Sequence, residues 1–238
     1  MSPDILGEFL GTMVLVLLGD GVVAGVLLGK SKAKDAGWLA ITAGWAFAVM
    51  AGVYTARAVG GPGYINPVGP LVGVLLDKLT ADKAAMYAAA ELAGAFAGAV
   101  LVWLHYLPHW AETPDADAKR GVFCTAPAIR EPAANLVSEA IATFVLVFVG
   151  AAVVEKAIGG ALMAPLGGAL VWGIGLSLGA TTGYAINPAR DLGPRLAHAV
   201  LPIPGKGGSD WGYSWVPIVG PVIGGAVAAF LVKAVMPL

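Results

Sequence analysis

The chain has 238 residues, of which 58% are hydrophobic and 12% charged, and its formal net charge is −1. Soluble domains carry about 25% charged residues, so this composition excludes an ordinary soluble protein and indicates one that crosses a membrane several times. The charge gives no reason to expect a nucleic-acid partner, and the single Cys124 excludes an intrachain disulfide.

Six apolar runs are long enough to cross a bilayer core of about 30 Å as helices. Two further apolar runs would form at most roughly 20 Å of helix each, so we predict half-helices that enter the membrane without crossing it. The polar stretch between the third and fourth long runs, residues 107–133, is predicted to be a surface loop. The six long runs cover residues 5–29, 36–56, 84–106, 134–154, 162–180 and 211–235, and the two short ones cover 66–76 and 188–200.

Both short runs begin with the dipeptide Asn-Pro, as Asn66-Pro67 and Asn187-Pro188. Asn is a favoured helix N-cap, and proline suits the first helical position because its missing N–H would be unbonded there. A pair of interrupted apolar segments at matching places in two halves is a sequence pointer to a transport site. One Asn-Pro pair alone would indicate only a capped turn.

The halves also repeat at their first helices, where Glu8 and Glu139 each stand four residues before a threonine. Three spanning helices per half is an odd number, so the two halves enter from opposite faces and form an inverted repeat. We predict an all-α membrane fold of six transmembrane helices plus two re-entrant half-helices. It forms a single channel domain over residues 1–238, with repeat one at about 1–106, the connecting loop at 107–133 and repeat two at about 134–238.

The two half-helices are expected to meet head to head near the midplane, where their positive N-terminal ends would oppose cations. The side-chain oxygens of Asn66 and Asn187 would cap their own helices and leave the amide NH2 groups free to face a cavity. The segments before each cap are expected to be extended, because their backbone must line a wet path. Their carbonyls would act as acceptors, from Gly63, Tyr64, Gly183 and Ala185.

Glu8 and Glu139 lie in spanning helices, where a carboxylate is costly. Their matching positions favour a structural role, in which each accepts N–H bonds from a re-entrant loop, over proton or ion transfer. Glu91 has no counterpart in the repeat, and Asp20 is read as lying near the membrane surface.

These motifs resemble the aquaporin (major intrinsic protein) family, and within it the glycerol-facilitator branch. The resemblance covers nearly the whole chain, through Glu-Phe-Leu-Gly-Thr at 8–12, Gly-Tyr-Ile-Asn-Pro at 63–67 and Gly-Tyr-Ala-Ile-Asn-Pro-Ala-Arg-Asp-Leu-Gly-Pro at 183–194. Asp191, directly after Asn-Pro-Ala-Arg, is typical of the glycerol branch and is assigned a loop-supporting role beside Glu8 and Glu139.

The resemblance implies a selectivity filter at Trp45, Gly175, Tyr184 and Arg190. Gly175 would leave room that an imidazole occupies in water channels, and Trp45 with Tyr184 would form an aromatic corner for CH2 groups. Arg190 would donate to hydroxyls from the opposite side and repel cations. Tyr184 replaces the usual Phe and would favour more polar solutes. Val68 replaces the usual Ala after Asn66-Pro67 and would shift the half-helix contact or narrow the midpoint.

The function implied is a passive channel for glycerol and other small uncharged polar solutes, polyols among them, with some water passage. By the same resemblance we expect a homotetramer with one pore per subunit in the lipid of the plasma membrane, with cytoplasmic termini and no cofactor, metal or enzymatic activity. The distribution of Lys and Arg would instead place the termini outside. Because charge and resemblance disagree, the sequence alone leaves the orientation open. Alternatives are a channel for water, lactic acid or urea, and a proton-coupled transporter using Glu8, Glu91 and Glu139.

Overall fold

The computed structural model describes residues 2–156 and 162–236. Residues 1, 157–161, 237 and 238, which the predicted single domain includes, lie outside this description. The described residues form nine α-helices and no strand. The helices are α1 (Pro3–Leu27), α2 (Gly37–Val59), α3 (Val68–Leu75), α4 (Ala81–His105), α5 (Ala116–Phe123), α6 (Pro132–Lys156), α7 (Met163–Ser177), α8 (Pro188–Val200) and α9 (Val216–Val235).

Five of these helices, α1, α2, α4, α6 and α9, are long and apolar enough to cross a membrane. The remaining predicted span, residues 162–180, corresponds to α7, which has 15 residues and therefore reaches about 22 Å. The two predicted half-helices are α3, with 8 residues, and α8, with 13. Neither half-helix is long enough to cross a bilayer core of about 30 Å.

The connection between α4 and α6 is more ordered than the predicted surface loop. It contains a 3-10 turn at Leu107–His109 and the helix α5, whose N-cap Asp115 accepts hydrogen bonds from two backbone N–H groups. The rings of Trp110 and Phe123 are buried and stack with centroids 5.5 Å apart. Cys124 is buried beside them, and this burial raises the pKa of its thiol to about 12. Part of the connection therefore joins the core, through Trp110, Val122, Phe123 and Cys124.

The first helix of each half packs against the last helix of that half in the same way. A Cβ atom added to Gly94 of α4 would lie 2.2 Å from the carbonyl oxygen of Phe9 in α1, and one added to Gly224 of α9 would lie 2.1 Å from that of Ala140 in α6. Each carbonyl belongs to the residue that follows the buried glutamate of its helix. Only glycine permits this approach, since a Cβ never comes so close to a backbone oxygen.

Val68 begins α3 and points toward α9. A Cβ atom added to Gly225 of α9 would lie 2.4 Å from Cγ1 of Val68, so the glycine provides the space that the branched side chain occupies. The sequence predicts that Val68 shifts the contact between the half-helices or narrows the midpoint. Its Cγ1 packs against Gly225, and the half-helix contact described below has ordinary hydrogen-bond lengths. Val68 also lines a cavity beside Asn66, so the narrowing of the midpoint stays a prediction.

This packing predicts that Gly225→Ala lowers the free energy of unfolding by about 1–3 kcal/mol. The added methyl group would clash with Val68, whose branched side chain strongly prefers one rotamer in a helix. Thermal unfolding of the purified protein in detergent measures the effect. Adding Val68→Ala should restore much of the lost stability. Gly173→Ala on α7, where an added Cβ meets open space, is the matched control, and an equal loss of stability there would contradict the explanation.

Candidate functional site

Two reciprocal hydrogen bonds join the half-helices at their N-terminal ends. Nδ2 of Asn66 donates to the carbonyl of Ile186 at 2.9 Å, and Nδ2 of Asn187 donates to the carbonyl of Ile65 at 2.8 Å. Each amide therefore binds the loop that leads into the other half-helix. The expectation that both NH2 groups are free is therefore wrong in part. Each NH2 group uses one N–H in a crossed hydrogen bond, and its second N–H remains for the cavity.

The oxygens of the same amides cap the half-helices. Oδ1 of Asn187 accepts from the backbone N–H groups of Ala189 at 3.0 Å and Arg190 at 3.2 Å. Oδ1 of Asn66 accepts from the N–H of Val68 at 3.1 Å. Both atoms of each amide are thus fixed, and the side chains cannot rotate without breaking a cap and the link to the other half.

The loops before the caps are not simply extended, which corrects the sequence-based expectation. The third and first residues before each Asn have positive φ: 85° at Gly63 and 47° at Ile65 in one loop, 38° at Tyr184 and 44° at Ile186 in the other. Carbonyls alternate in direction along an extended segment, and left-handed residues at alternate positions break that alternation. A β-branched residue in this region is strained by about 1–3 kcal/mol, so the surroundings must hold it there.

Glu8 of α1 holds the first loop through its carboxylate. Oε1 accepts from the N–H groups of Gly63 at 2.6 Å and Tyr64 at 3.2 Å, and Oε2 accepts from that of Ile65 at 2.7 Å. These N–H groups lie at membrane depth, where an unbonded donor would cost several kcal/mol. The carboxylate therefore satisfies the strained segment and fixes its shape.

Glu139 of α6 does the same for the second loop. Oε1 accepts from Oγ1 of Thr182 at 2.6 Å and from the N–H of Ala185 at 2.9 Å, and Oε2 accepts from the N–H of Ile186 at 2.9 Å. Neither Glu8 nor Glu139 lines either of the two cavities that are described below. Glu91 is fully buried beside Glu8 and the backbone of Asn66.

Asp191 ties the second half-helix to the long connection. Its Oδ2 accepts from the N–H and the hydroxyl of Thr125 at 2.8 and 2.6 Å, and its Oδ1 accepts from Nε of Arg195 at 2.8 Å. Arg195 in turn donates to the carbonyls of Thr125 and Ser209. Sequence reasoning missed these partners of Asp191, although the Asp-Arg spacing of four on α8 is a recognisable pairing signal.

Two cavities meet at Asn66. The one that Arg190 lines is called the outer cavity and has a volume of about 110 Å³, and the other is called the inner cavity and has a volume of about 280 Å³. They share Tyr64, Asn66 and Leu146 as lining residues. Most of the outer wall is apolar, and its polar groups lie near the caps and at the filter positions. It is lined by Leu15, Trp45, Val49, Val53, Tyr64, Ile65, Asn66, Leu146, Val171, Tyr184, Ala185, Ile186, Asn187 and Arg190.

Of the residues predicted to supply pore-lining carbonyls, Gly63 lines the inner cavity, Tyr64 lines both, and Ala185 lines the outer one. Gly183 lines neither of the two cavities described, so its assignment is not supported. Its backbone faces Thr125, whose Cβ would lie 3.5 Å from an added Cβ at Gly183.

The predicted filter residues come together, but in a different arrangement from the one expected. The guanidinium carbon of Arg190 lies over the ring of Trp45, 4.0 Å from its centre. The two side chains are therefore in contact and do not stand on opposite sides of the lumen. A cation over an indole ring is a favourable contact. Gly175 does not line the outer cavity, because the space above it is occupied: a Cβ there would lie 2.9 Å from Cζ of Tyr184.

Two residues near the filter were missed or misplaced by sequence reasoning. Trp38 packs edge-on against Tyr184 with centroids 5.7 Å apart and donates from Nε1 to the carbonyl of Gly175 at 3.0 Å. Asp20, read as near the membrane surface, is fully buried, and its Oδ1 lies 3.7 Å from Nη1 of Arg190.

The sequence matches the family described as Major intrinsic protein over residues 2–232. The chain belongs to the major intrinsic protein family. One relative in this family is "Glycerol uptake facilitator protein 3" of Lactiplantibacillus plantarum, which is 56% identical over 97% of this chain and 96% of its own length. Another is "Probable glycerol uptake facilitator protein" of Thermotoga maritima, 54% identical over 95% and 96% of the two chains. The "D/L-lactic acid transporter" of L. plantarum is 37% identical over 97% and 96%.

Among solved structures of the major intrinsic protein fold, the chain is similar to the aquaglyceroporin from Plasmodium falciparum. The TM-score is 0.85 at 28% sequence identity, and the match covers 98% of this chain and 96% of the other. The predicted family, its glycerol-facilitator branch and the all-α aquaporin-like fold are confirmed.

The loop support predicts a specific effect of Glu139→Gln. The substitution replaces one accepting oxygen with an NH2 group, so one N–H of the second loop loses its partner and the free energy of unfolding falls by about 1–3 kcal/mol. Thermal unfolding in detergent measures this, with Glu131→Gln on the exposed connection as control. Unchanged stability of the Glu139 variant would contradict the supporting role.

Proposed function

We propose that the chain is a passive channel for glycerol and similar small uncharged polyols, with some passage of water. The observation that carries the proposal is the lining of the outer cavity, where a few polar groups stand in an apolar wall. Asn66, Asn187 and Arg190 are among its lining residues. Each amide uses one N–H in the crossed bond, so a solute hydroxyl or water is the natural partner of the other N–H.

The remaining wall suits the carbon side of the same solute. Aliphatic side chains and two aromatic rings make up most of the outer cavity, and the guanidinium of Arg190 and the amides of Asn66 and Asn187 add donors. A polyol has CH2 groups along one side and hydroxyls along the other, and both are accommodated. The names of the relatives that are 46–56% identical, all glycerol uptake facilitators, support the same solute class.

Exclusion of ions follows from charge. The N-terminal ends of α3 and α8 converge on the Asn pair, and each end carries about half a positive charge. Arg190 places a guanidinium beside the outer cavity. A cation, including a hydrated proton, therefore meets repulsion at the Asn pair and beside Arg190.

Transport is passive in this proposal, because none of the three carboxylates that a proton-coupled mechanism would use lines a described cavity. Those of Glu8 and Glu139 hold loop N–H groups, and Glu91 lines neither described cavity. The channel breaks no bond. We further propose a homotetramer with one pore per subunit in the plasma membrane, with cytoplasmic termini. Exposed apolar side chains on α2, α6 and α9, such as Phe47, Ile141 and Phe230, fit contact with lipid or with neighbouring subunits.

Vesicle light scattering tests the solute. Proteoliposomes under an inward glycerol gradient should swell at least about tenfold faster than empty vesicles, because the pore lowers the barrier to a polar solute by more than ~1.4 kcal/mol. Water, urea and lactic acid in the same assay rank the alternatives. A glycerol rate equal to that of empty vesicles would overturn the proposal.

The filter assignment predicts the outcome of Gly175→His combined with Tyr184→Ala. Removing the phenol opens the space in which the imidazole must lie, since an added Cβ at Gly175 is 2.9 Å from Cζ of Tyr184. Glycerol flux should fall roughly tenfold while water flux is kept, because a polar imidazole then stands where the aromatic corner would contact the CH2 groups. Gly173→His on the open face of α7 is the control. Unchanged glycerol flux in the double variant would count against the assignment.

A further inference from the structure

Asp20 is a buried carboxylate that neither supports a re-entrant loop nor lines a described cavity. It lies on α1 and is fully buried, and neither of its oxygens has a hydrogen-bond partner among the described residues. Its Oδ1 is 3.7 Å from Nη1 of Arg190. Arg190 lines the outer cavity, whereas Asp20 lines neither described cavity.

The helix α1 shapes both contacts of the Arg190 guanidinium. A Cβ atom at Gly19, the residue before Asp20, would lie 2.2 Å from Cζ3 of Trp45, so the indole lies directly on the backbone of α1. The guanidinium carbon stacks on that same indole at 4.0 Å. Trp45 and Asp20 are therefore presented to Arg190 side by side.

The other buried acid nearby is already occupied. Asp191 forms its hydrogen bonds with Thr125 and Arg195, and Arg195 is itself fully buried. Within the described residues, Asp20 is thus the buried carboxylate available to balance the charge of Arg190.

A buried carboxylate in a spanning helix is costly, and an apolar side chain of similar size would usually serve stability as well or better. A function for Asp20 is therefore a better explanation than stability. Arginine has a long side chain that can extend into a lumen, and a fixed counter-charge on one side restricts it.

We propose that Asp20 is a positioning residue for solute selection, which draws the Arg190 guanidinium onto Trp45 and away from the lumen, so that the filter admits a polyol as well as water. This inference rests on the proposed function. The filter would then have a fifth member on α1, which acts through Arg190 without touching the solute.

The direct test is Asp20→Asn, which keeps the shape of the side chain and removes its charge. With the counter-charge gone, Arg190 should reach into the lumen and obstruct the larger solute. Glycerol permeability should fall about fivefold, which corresponds to ~1 kcal/mol at the filter, and water permeability should fall less than about twofold. Asp35→Asn on the exposed loop after α1 is the matched control. Asp20→Ser provides a second uncharged variant if the first does not fold.

A double-variant cycle separates positioning from a merely structural role. In a background of Arg190→Ala, Asp20→Asn should produce no further change in the ratio of glycerol to water permeability, because the residue through which Asp20 acts is absent. Independent, multiplying effects would overturn the inference, as would an unchanged ratio in a folded Asp20→Asn channel. An equal fall of both permeabilities together with a lower melting temperature would also overturn it.

The same experiment distinguishes this inference from the proposed function. A wild-type channel that passes water but no glycerol would refute the polyol channel, whatever the variants do. A wild type that passes both solutes, with an Asp20→Asn variant that does so in the same ratio, would refute the role of Asp20 alone.

Discussion

Non-helical backbone inside a membrane needs a hydrogen-bond partner for every N–H group, and the whole pore depends on how this chain meets that requirement. Two glutamates, Glu8 and Glu139, supply carboxylate oxygens to the two re-entrant loops. Held in this way, each loop can adopt left-handed residues and present carbonyls to the other half. Those carbonyls receive the amides of Asn66 and Asn187, and the two cavities lie on either side of that junction.

The helices that carry the two glutamates are themselves held by close packing. Glycines at 94 and 224 bring the last helix of each half against the backbone beside its glutamate. Packing of this kind replaces the hydrophobic driving force that is missing between helices in lipid. Small residues on the outer helices thus fix the geometry at the pore centre, several side chains away from the solute.

Much of the architecture was predictable because it follows from local rules. Asn-Pro identifies a helix start, charge within an apolar run identifies a constrained site, and the matching of Glu8 with Glu139 indicates the repeat. The crossed amide bonds, the positive φ angles and the stacking of Arg190 on Trp45 were not predictable. They depend on which groups from distant segments meet, and on whether a side chain is buried by tertiary packing. Asp20 shows this well, since its sequence position near the end of α1 indicated the surface while its neighbours enclose it completely.

The crossed amide bonds at the midplane also determine the kinetics that this protein can have. A carrier alternates between faces by rocking one half against the other, and here such rocking would have to break both crossed amide bonds at once. The crossed hydrogen bonds hold the two halves together, so a solute crosses without a protein conformational cycle. Flux should then grow in proportion to concentration over a wide range, without the plateau typical of carriers.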